Sequence, residues 1–194
     1  SSKKLLTMMG IPYIEAYGEG EAQAAYLVEN GDAWAVASQD YDCLLFGAKR
    51  VVRNLAINSN LGDLEYYNLK RVLDELDINR EQLIDMGILI GTDFSEGLKG
   101  VGAKTALKLA KKGELENKLA KLQEESSHDI SEVREIFLNH NVNTDYKIRW
   151  KKPAKNDIID FLCEEHGFSQ DRVSKACDKL KNLNSSQKSL EDWF

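Results

Sequence analysis

Two hydrophobic rhythms run through the chain, and the change between them falls near residue 69. Residues 2–9 carry apolar positions at helical spacing and are closed by Gly10 and Pro12, and residues 13–16 are short enough for a strand. Gly18-Glu19-Gly20-Glu21 then introduces residues 22–29, a good helix former stopped at Asn30-Gly31. Residues 33–38 form an almost wholly apolar run between turn signals, the pattern of a strand buried on both faces. Strand, helix, strand in this order predicts a parallel sheet, with further strands at 50–54 and 64–68 around a loop at Asn58, Asn60 and Gly62. From residue 69 the spacing predicts helices at 69–76, 80–91, 102–112, 115–124, 130–139, 155–165 and 170–182. Residues 182–186 read as a polar linker, yet the chain ends on Leu190, Trp193 and Phe194. The expected fold class is α/β: a core with a parallel sheet, followed by a helical region.

Composition narrows the class. The 194 residues, 42% hydrophobic and 30% charged, suit one globular domain or one with a small appendage. The longest apolar runs, such as Ile88-Leu89-Ile90, fall far short of the roughly 20 residues that span a bilayer. No basic-then-apolar leader opens the chain, so neither a membrane nor a secreted protein is expected. Cys43, Cys163 and Cys177 are widely separated, as are His128, His140 and His166, which argues against a disulfide framework or structural zinc. The chain opens Ser1-Ser2-Lys3-Lys4-Leu5-Leu6 without an initiator methionine, as if starting inside a longer protein.

The net charge of −6 speaks against a nucleic-acid partner until the chain is divided. Residues 1–95 hold 8 basic and 15 acidic side chains, whereas residues 96–194 hold 18 and 17. Residues 97–112 contain five lysines and no acid, a patch whose local field can bind phosphate on an acidic protein.

Two pairs of carboxylates at i and i+2, Glu19/Glu21 and Asp40/Asp42, lie about 20 residues apart in sequence. The second pair follows the predicted strand at 33–38, where open parallel sheets place their ligand sites. Asp93, in Gly91-Thr92-Asp93-Phe94, is a fifth candidate. Crowded carboxylates repel unless a cation sits among them, and an all-oxygen set suits Mg²⁺ or Mn²⁺. Such a cluster would hold two metals about 3.5–4 Å apart for phosphodiester hydrolysis. The plainer alternative is that these acids are helix caps and dipole partners.

In the glycine–lysine stretch, Gly100 and Gly102 allow a tight turn whose N–H groups meet a phosphate at a helix N-terminus. Lys104, Lys108 and Lys111 follow along one helix face, with Ala106, Leu109 and Ala110 left for the core. The pattern predicts a clamp on the DNA backbone that reads no bases, the alternative being a solvated lysine face.

These motifs resemble the flap endonuclease family of structure-specific 5′ nucleases. The matching stretches are Met9-Gly10-Ile11-Pro12-Tyr13, residues 19–26, Ser38-Gln39-Asp40-Tyr41-Asp42, Gly91-Thr92-Asp93-Phe94 and residues 97–104, with weaker similarity to the C-terminus. The resemblance implies a PIN-like α/β nuclease core over 1–95 and a helical region over 96–182. That region would contain a helix–two-turn–helix element in which Gly97, Lys99, Gly100, Gly102, Lys104 and Lys108 grip duplex DNA. By the same resemblance, Asp40, Asp42 and Asp93 match ligands of a second metal, and Glu19 and Glu21 match part of the first. The implied cofactors are two Mg²⁺ ions, with Mn²⁺ an alternative and potassium at the 97–102 hairpin. The implied substrate is branched duplex DNA with a 5′ flap, cut in replication and repair.

Family members begin with a segment that supplies further aspartates and a helical gateway and has no counterpart here. The expectation is therefore a nuclease lacking its N-terminal part and inactive alone, or one chain of a split enzyme that needs an N-terminal partner. The competing class is a non-catalytic DNA-binding module. The short tail without a lysine-rich extension looks archaeal, which implies a cytoplasmic protein; a eukaryotic member would be nuclear. Over 183–194, Gln187, Leu190, Trp193 and Phe194 resemble the sliding-clamp (PCNA) interacting peptide, an aromatic plug on a flexible tether. The alternative there is a plug folded back onto its own core.

Overall fold

A computed structural model describes residues 1–55 and 63–186, with side chains as far as 180. The loop expected at Asn58, Asn60 and Gly62 and the clamp peptide at Gln187, Leu190, Trp193 and Phe194 lie outside the described residues. The chain divides into two compact units, one of residues 1–15 with the chain from Asn143 onward, the other of residues 16–142.

The larger unit carries a three-stranded sheet in the order β1 (Val36–Ala37), β2 (Arg50–Arg53), β3 (Glu65–Asn68). The expected parallel pairing holds for β1 and β2, with Val36 opposite Val51. It fails for β2 and β3, which run antiparallel with Val52 opposite Tyr66. The physical reason is the length of the connection: a parallel pair needs a crossover of about a dozen residues or more, usually through a helix, and only residues 54–64 separate β2 from β3. Asn54, at φ 59°, instead donates from Nδ2 to the Asp63 carbonyl and closes the hairpin base. The predicted strand at 33–38 shrinks to two residues at a sheet edge, where Val36 is buried and Ala37 exposed, so it is not buried on both faces. Residues 13–16 form no strand.

Helices follow the predicted pattern closely. In this unit they are α2 (Gly20–Glu29), α3 (Asp42–Leu45), α4 (Leu69–Leu76), α5 (Arg80–Ile90), α6 (Ala103–Lys112), α7 (Leu115–Glu125) and α8 (Ile130–Leu138). Local chemistry sets the starts: Asn68 accepts from the Arg71 N–H, and Asn79 with Gln82 forms a reciprocal capping box. Helix α5 is the central pillar. It buries Ile84, Met86, Ile88 and Leu89 and packs against α3, α6, α7 and α8. Packing is thus continuous across the 95/96 boundary drawn from the sequence. Arg80 pins three elements together by donating to the carbonyls of Leu45 and Phe137, at 3.0 and 2.7 Å. Arg134 on α8 pairs with the buried Asp85 of α5 at 2.7 Å.

The smaller unit holds α1 (Ser2–Met9), α9 (Lys155–Ile159) with a π-helical turn over Asp160–Glu165, and α10 (Gln170–Ser186). Ile158, Val173 and Cys177 make its core with Leu5, Met8 and Met9. Helix α10 continues through residues 182–186, which corrects the linker expected there. All three cysteines are free thiols. No helix among the described residues is long and apolar enough to cross a membrane.

Candidate active site

Each predicted acid sits where an element begins or turns. Glu19 is the N-cap residue of α2, yet its side chain makes no capping hydrogen bond, and Glu21 lies in the first turn. Asp42 opens α3, and Asp40 precedes it with its N–H donated to Ser38 Oγ at 3.2 Å. Asp93 stands in a tight turn closed by Thr92 N–H to the Ser95 carbonyl, at 2.8 Å. A Cβ built on Gly20 meets nothing within 4 Å and one on Gly18 only the Asn141 carbonyl at 4.0 Å, so the protein's own packing does not require them.

The five acids come from separate stretches but share one field. Burial holds the Asp42 carboxyl above the ordinary carboxylate range, and the charges of Asp93, Asp40, Glu21 and Glu19 push it further, in that order. Next to it, burial pushes the Cys43 thiol up to about 11, so Cys43 is a packing group and no nucleophile. Among the described residues no three acids are gathered tightly enough to grip one ion as they stand, an arrangement that repulsion between unneutralised carboxylates favours. The donors are carboxylate oxygens alone, on side chains that remain at least partly exposed. That set fits hard divalent ions such as Mg²⁺ or Mn²⁺.

Reading the sequence missed the clasp that holds the Asp40–Asp42 loop. Arg53 of β2 donates from Nε to the Gln39 carbonyl at 2.9 Å, from Nη1 to the Tyr41 hydroxyl, and pairs with Glu65 Oε2 of β3 at 2.6 Å. Its guanidinium also lies 4.0 Å from the Tyr41 ring centroid. Tyr67 completes the group by donating to Glu65 at 3.0 Å, and its phenol is pushed up to about 12, foremost by the hydrogen bond with Tyr41. The members come from three elements with no common spacing, so no motif announces them. An apolar cleft of about 240 Å³ bordered by Tyr41, Leu45, Met86 and Ile90 has Asp42 in its lining.

The glycine–lysine stretch joins α5 to α6 through two hydrogen-bonded turns, Thr92–Ser95 and Leu98–Val101. Gly100, at φ 85°, occupies the position of the second turn that demands positive φ. Gly97 serves the scaffold: at φ 73°, it lies so close to the end of α5 that a Cβ would stand 2.6 Å from the Ile90 carbonyl. Gly102 caps α6, its carbonyl accepting from Thr105 and Ala106. Lys99, Gly102, Lys104 and Lys108 are exposed, while Ala106, Leu109 and Ala110 are buried as predicted. Lys111 leaves the expected stripe by pairing with Asp77 at 2.8 Å.

Comparison with known proteins places this arrangement. Residues 10–93 match the XPG I-region family model. Flap endonuclease 1 of Methanothermobacter thermautotrophicus is 55% identical over 195 residues, covering 100% of this chain and 60% of that protein. The solved flap endonuclease-1 from Methanococcus jannaschii matches with TM-score 0.84 at 44% identity, over 95% of this chain and 57% of the other. Human GEN1 in complex with Holliday junction DNA matches with TM-score 0.76 at 25% identity, over 96% and 54%. The chain spans about 60% of the length of the curated relatives it matches. With its whole length aligned to such relatives and a matching fold, the chain is similar throughout to flap endonucleases, of which it spans about 60%.

Proposed function

We propose that this chain contributes the metal-binding acids and the duplex grip of a Mg²⁺-dependent 5′-flap endonuclease and 5′–3′ exonuclease acting in DNA replication and repair. One observation carries the reading: beside burial, which raises the Asp42 carboxyl most, four acids from three stretches of chain lie near enough to raise it further. A protein gains nothing in stability from that arrangement, and a divalent cation offsets its cost. Asp40, Asp42 and Asp93 would hold one ion, Glu19 and Glu21 part of the shell of the other. The bound metal would lower the pKa of water and neutralise charge on the phosphate. The Arg53 clasp fixes the backbone under Asp40 and Asp42. Lys99, Lys104 and Lys108 bind phosphates of the duplex, with α5, the two turns and α6 read as a helix–two-turn–helix clamp and the carbonyls around 97–102 as a potassium site. Gln187, Leu190, Trp193 and Phe194 would tether the protein to the sliding clamp.

The test is cleavage of a 5′-flap DNA with Mg²⁺, by this chain alone and after adding the remaining portion of the Methanothermobacter relative, with Asp40→Ala as control. Mg²⁺-dependent cleavage after mixing, lost in Asp40→Ala, is expected; cleavage by the chain alone would overturn the expectation that it is inactive by itself. DNA binding without cleavage in both cases would replace the reading with a non-catalytic, clamp-tethered module. That no three acids among the described residues are gathered to grip one ion is the observation that favours this second reading. Cleavage only on mixing identifies a two-chain enzyme.

A further inference from the structure

We propose that the smaller unit carries a second site for the phosphate backbone of nucleic acid, a cleft in which Lys147, Arg149 and Lys151 converge beside the Gly10 turn. The proposal rests on the nuclease reading above but concerns residues outside the glycine–lysine element. Residues 146–156, Tyr-Lys-Ile-Arg-Trp-Lys-Lys-Pro-Ala-Lys-Asn, hold five cations and no acid. They adopt neither helix nor strand until α9 begins at Lys155. The segment is nonetheless fixed. Lys151 N–H donates to the Gly10 carbonyl at 2.9 Å and Ala154 N–H to the Met8 carbonyl at 2.8 Å. Gly10, at φ 72°, is irreplaceable there, since a Cβ would stand 2.0 Å from the Lys151 carbonyl oxygen.

This anchoring brings residues two apart in sequence to one cleft of about 240 Å³, lined by the three cations together with Thr7 and Tyr13 and by no acidic side chain. Four other lysines of the unit are paired with acids: Lys3 with Glu15, Lys4 with Glu165, Lys155 with Asp178 and Lys175 with Asp171. Lys147, Arg149 and Lys151 have no acidic partner among the described residues. Three unpaired like charges held around one cleft raise its potential and call for an anion. Cations in a row with a threonine and a tyrosine beside them are the donor set that holds nucleic-acid phosphates. Between the cations, Ile148 and Trp150 do not line the cleft, and Trp150 is 69% exposed.

The experiment is fluorescence anisotropy of the full chain with a labelled blunt duplex DNA across a KCl series. It compares the wild type, the triple variant Lys147→Gln/Arg149→Gln/Lys151→Gln, the double variant Lys104→Gln/Lys108→Gln, and Lys152→Gln as a neighbour that does not line the cleft. Thermal melts establish that each variant folds, and Arg149→Lys supplies a milder, charge-retaining change. The triple variant should bind at least ten-fold more weakly, with a log–log salt slope shallower by about 2–3, the loss of three phosphate contacts. Lys152→Gln should stay near wild type, and Arg149→Lys should keep the wild-type salt slope because the charge is retained. An unchanged slope in the triple variant, or an equal drop in Lys152→Gln, overturns the site. So does a triple variant that loses binding to polyglutamate but not to DNA, which would point to an acidic protein partner instead. If the double variant alone weakens binding, the cleft falls and the nuclease reading stands; if the wild type binds no duplex, both fall.

Discussion

The acid cluster and the glycine–lysine element are built on opposite plans. Glu19, Glu21, Asp40, Asp42 and Asp93 come from three separate stretches, repel one another, and need a scaffold to hold them: the Arg53 clasp under one loop and the Thr92–Ser95 turn under another. Lys99, Lys104 and Lys108 lie within ten residues of chain on a turn and a helix, exposed and free to separate. A site that concentrates like charge has to be paid for by tertiary structure. A site that spreads charge along one helix asks little beyond its own local geometry.

The comparison breaks most sharply at the ligands. Asp40→Ala should lower Mg²⁺-dependent cleavage of a 5′ flap by about a thousand-fold or more in whichever assembly cleaves, the scale of losing metal-assisted chemistry, while duplex affinity measured without Mg²⁺ holds. Gly97→Ala should come next. It forces a Cβ against the Ile90 carbonyl at positive φ and should cost about 2–4 kcal/mol in denaturant unfolding, by strain and overpacking together. Both sites hang on that loop, so an unchanged midpoint would show that the connection between α5 and α6 is softer than its hydrogen bonds imply.

Arg53→Met sharpens the contrast by removing the clasp and no ligand. Titration calorimetry should show roughly ten-fold weaker Mg²⁺ binding, as losses of supporting contacts around a metal give, and unaltered duplex binding. Equal weakening of both would mean that the clasp serves the whole unit. The smallest effect concerns stability. The folded Asp42 carboxyl binds its proton more tightly than an ordinary carboxylate does, so its contribution to stability is full below the ordinary range and is lost as pH rises through the raised value. Without metal, Asp42→Asn should therefore melt higher than wild type at pH 7, and that advantage should vanish at low pH. A lower melting temperature at pH 7 would show that Asp42 is paired and not crowded.

Much of this was legible in the sequence because it is local. Helix α6 was written in Gly100, Gly102 and the alternation of lysine with Ala106, Leu109 and Ala110, and the fold keeps that division of faces. The acids were legible as pairs, since i and i+2 spacing after a turn is visible in a string. The Arg53–Tyr41–Glu65–Tyr67 clasp was not, because its members meet only through sheet pairing between β2 and β3. Lys111 looked like the third member of a stripe, and Asp77, 34 residues away in sequence, withdraws it. The run at 33–38 looked doubly buried because its composition is apolar, but β1 took an edge.

By itself the sequence determined the local propensities: where helices start and stop, which lysines share a face, which carboxylates travel together. Periodicity, capping and turn chemistry act over a few residues, so they survive as readable patterns. Tertiary structure alone decided the direction of β3, the partition into units that does not respect residue 95, the crowding of four charges on Asp42, and the meeting of Lys147, Arg149 and Lys151 with the turn at Gly10. Each of these depends on groups distant in sequence becoming neighbours. Electrostatic energy depends on separation in space, which a linear string does not encode.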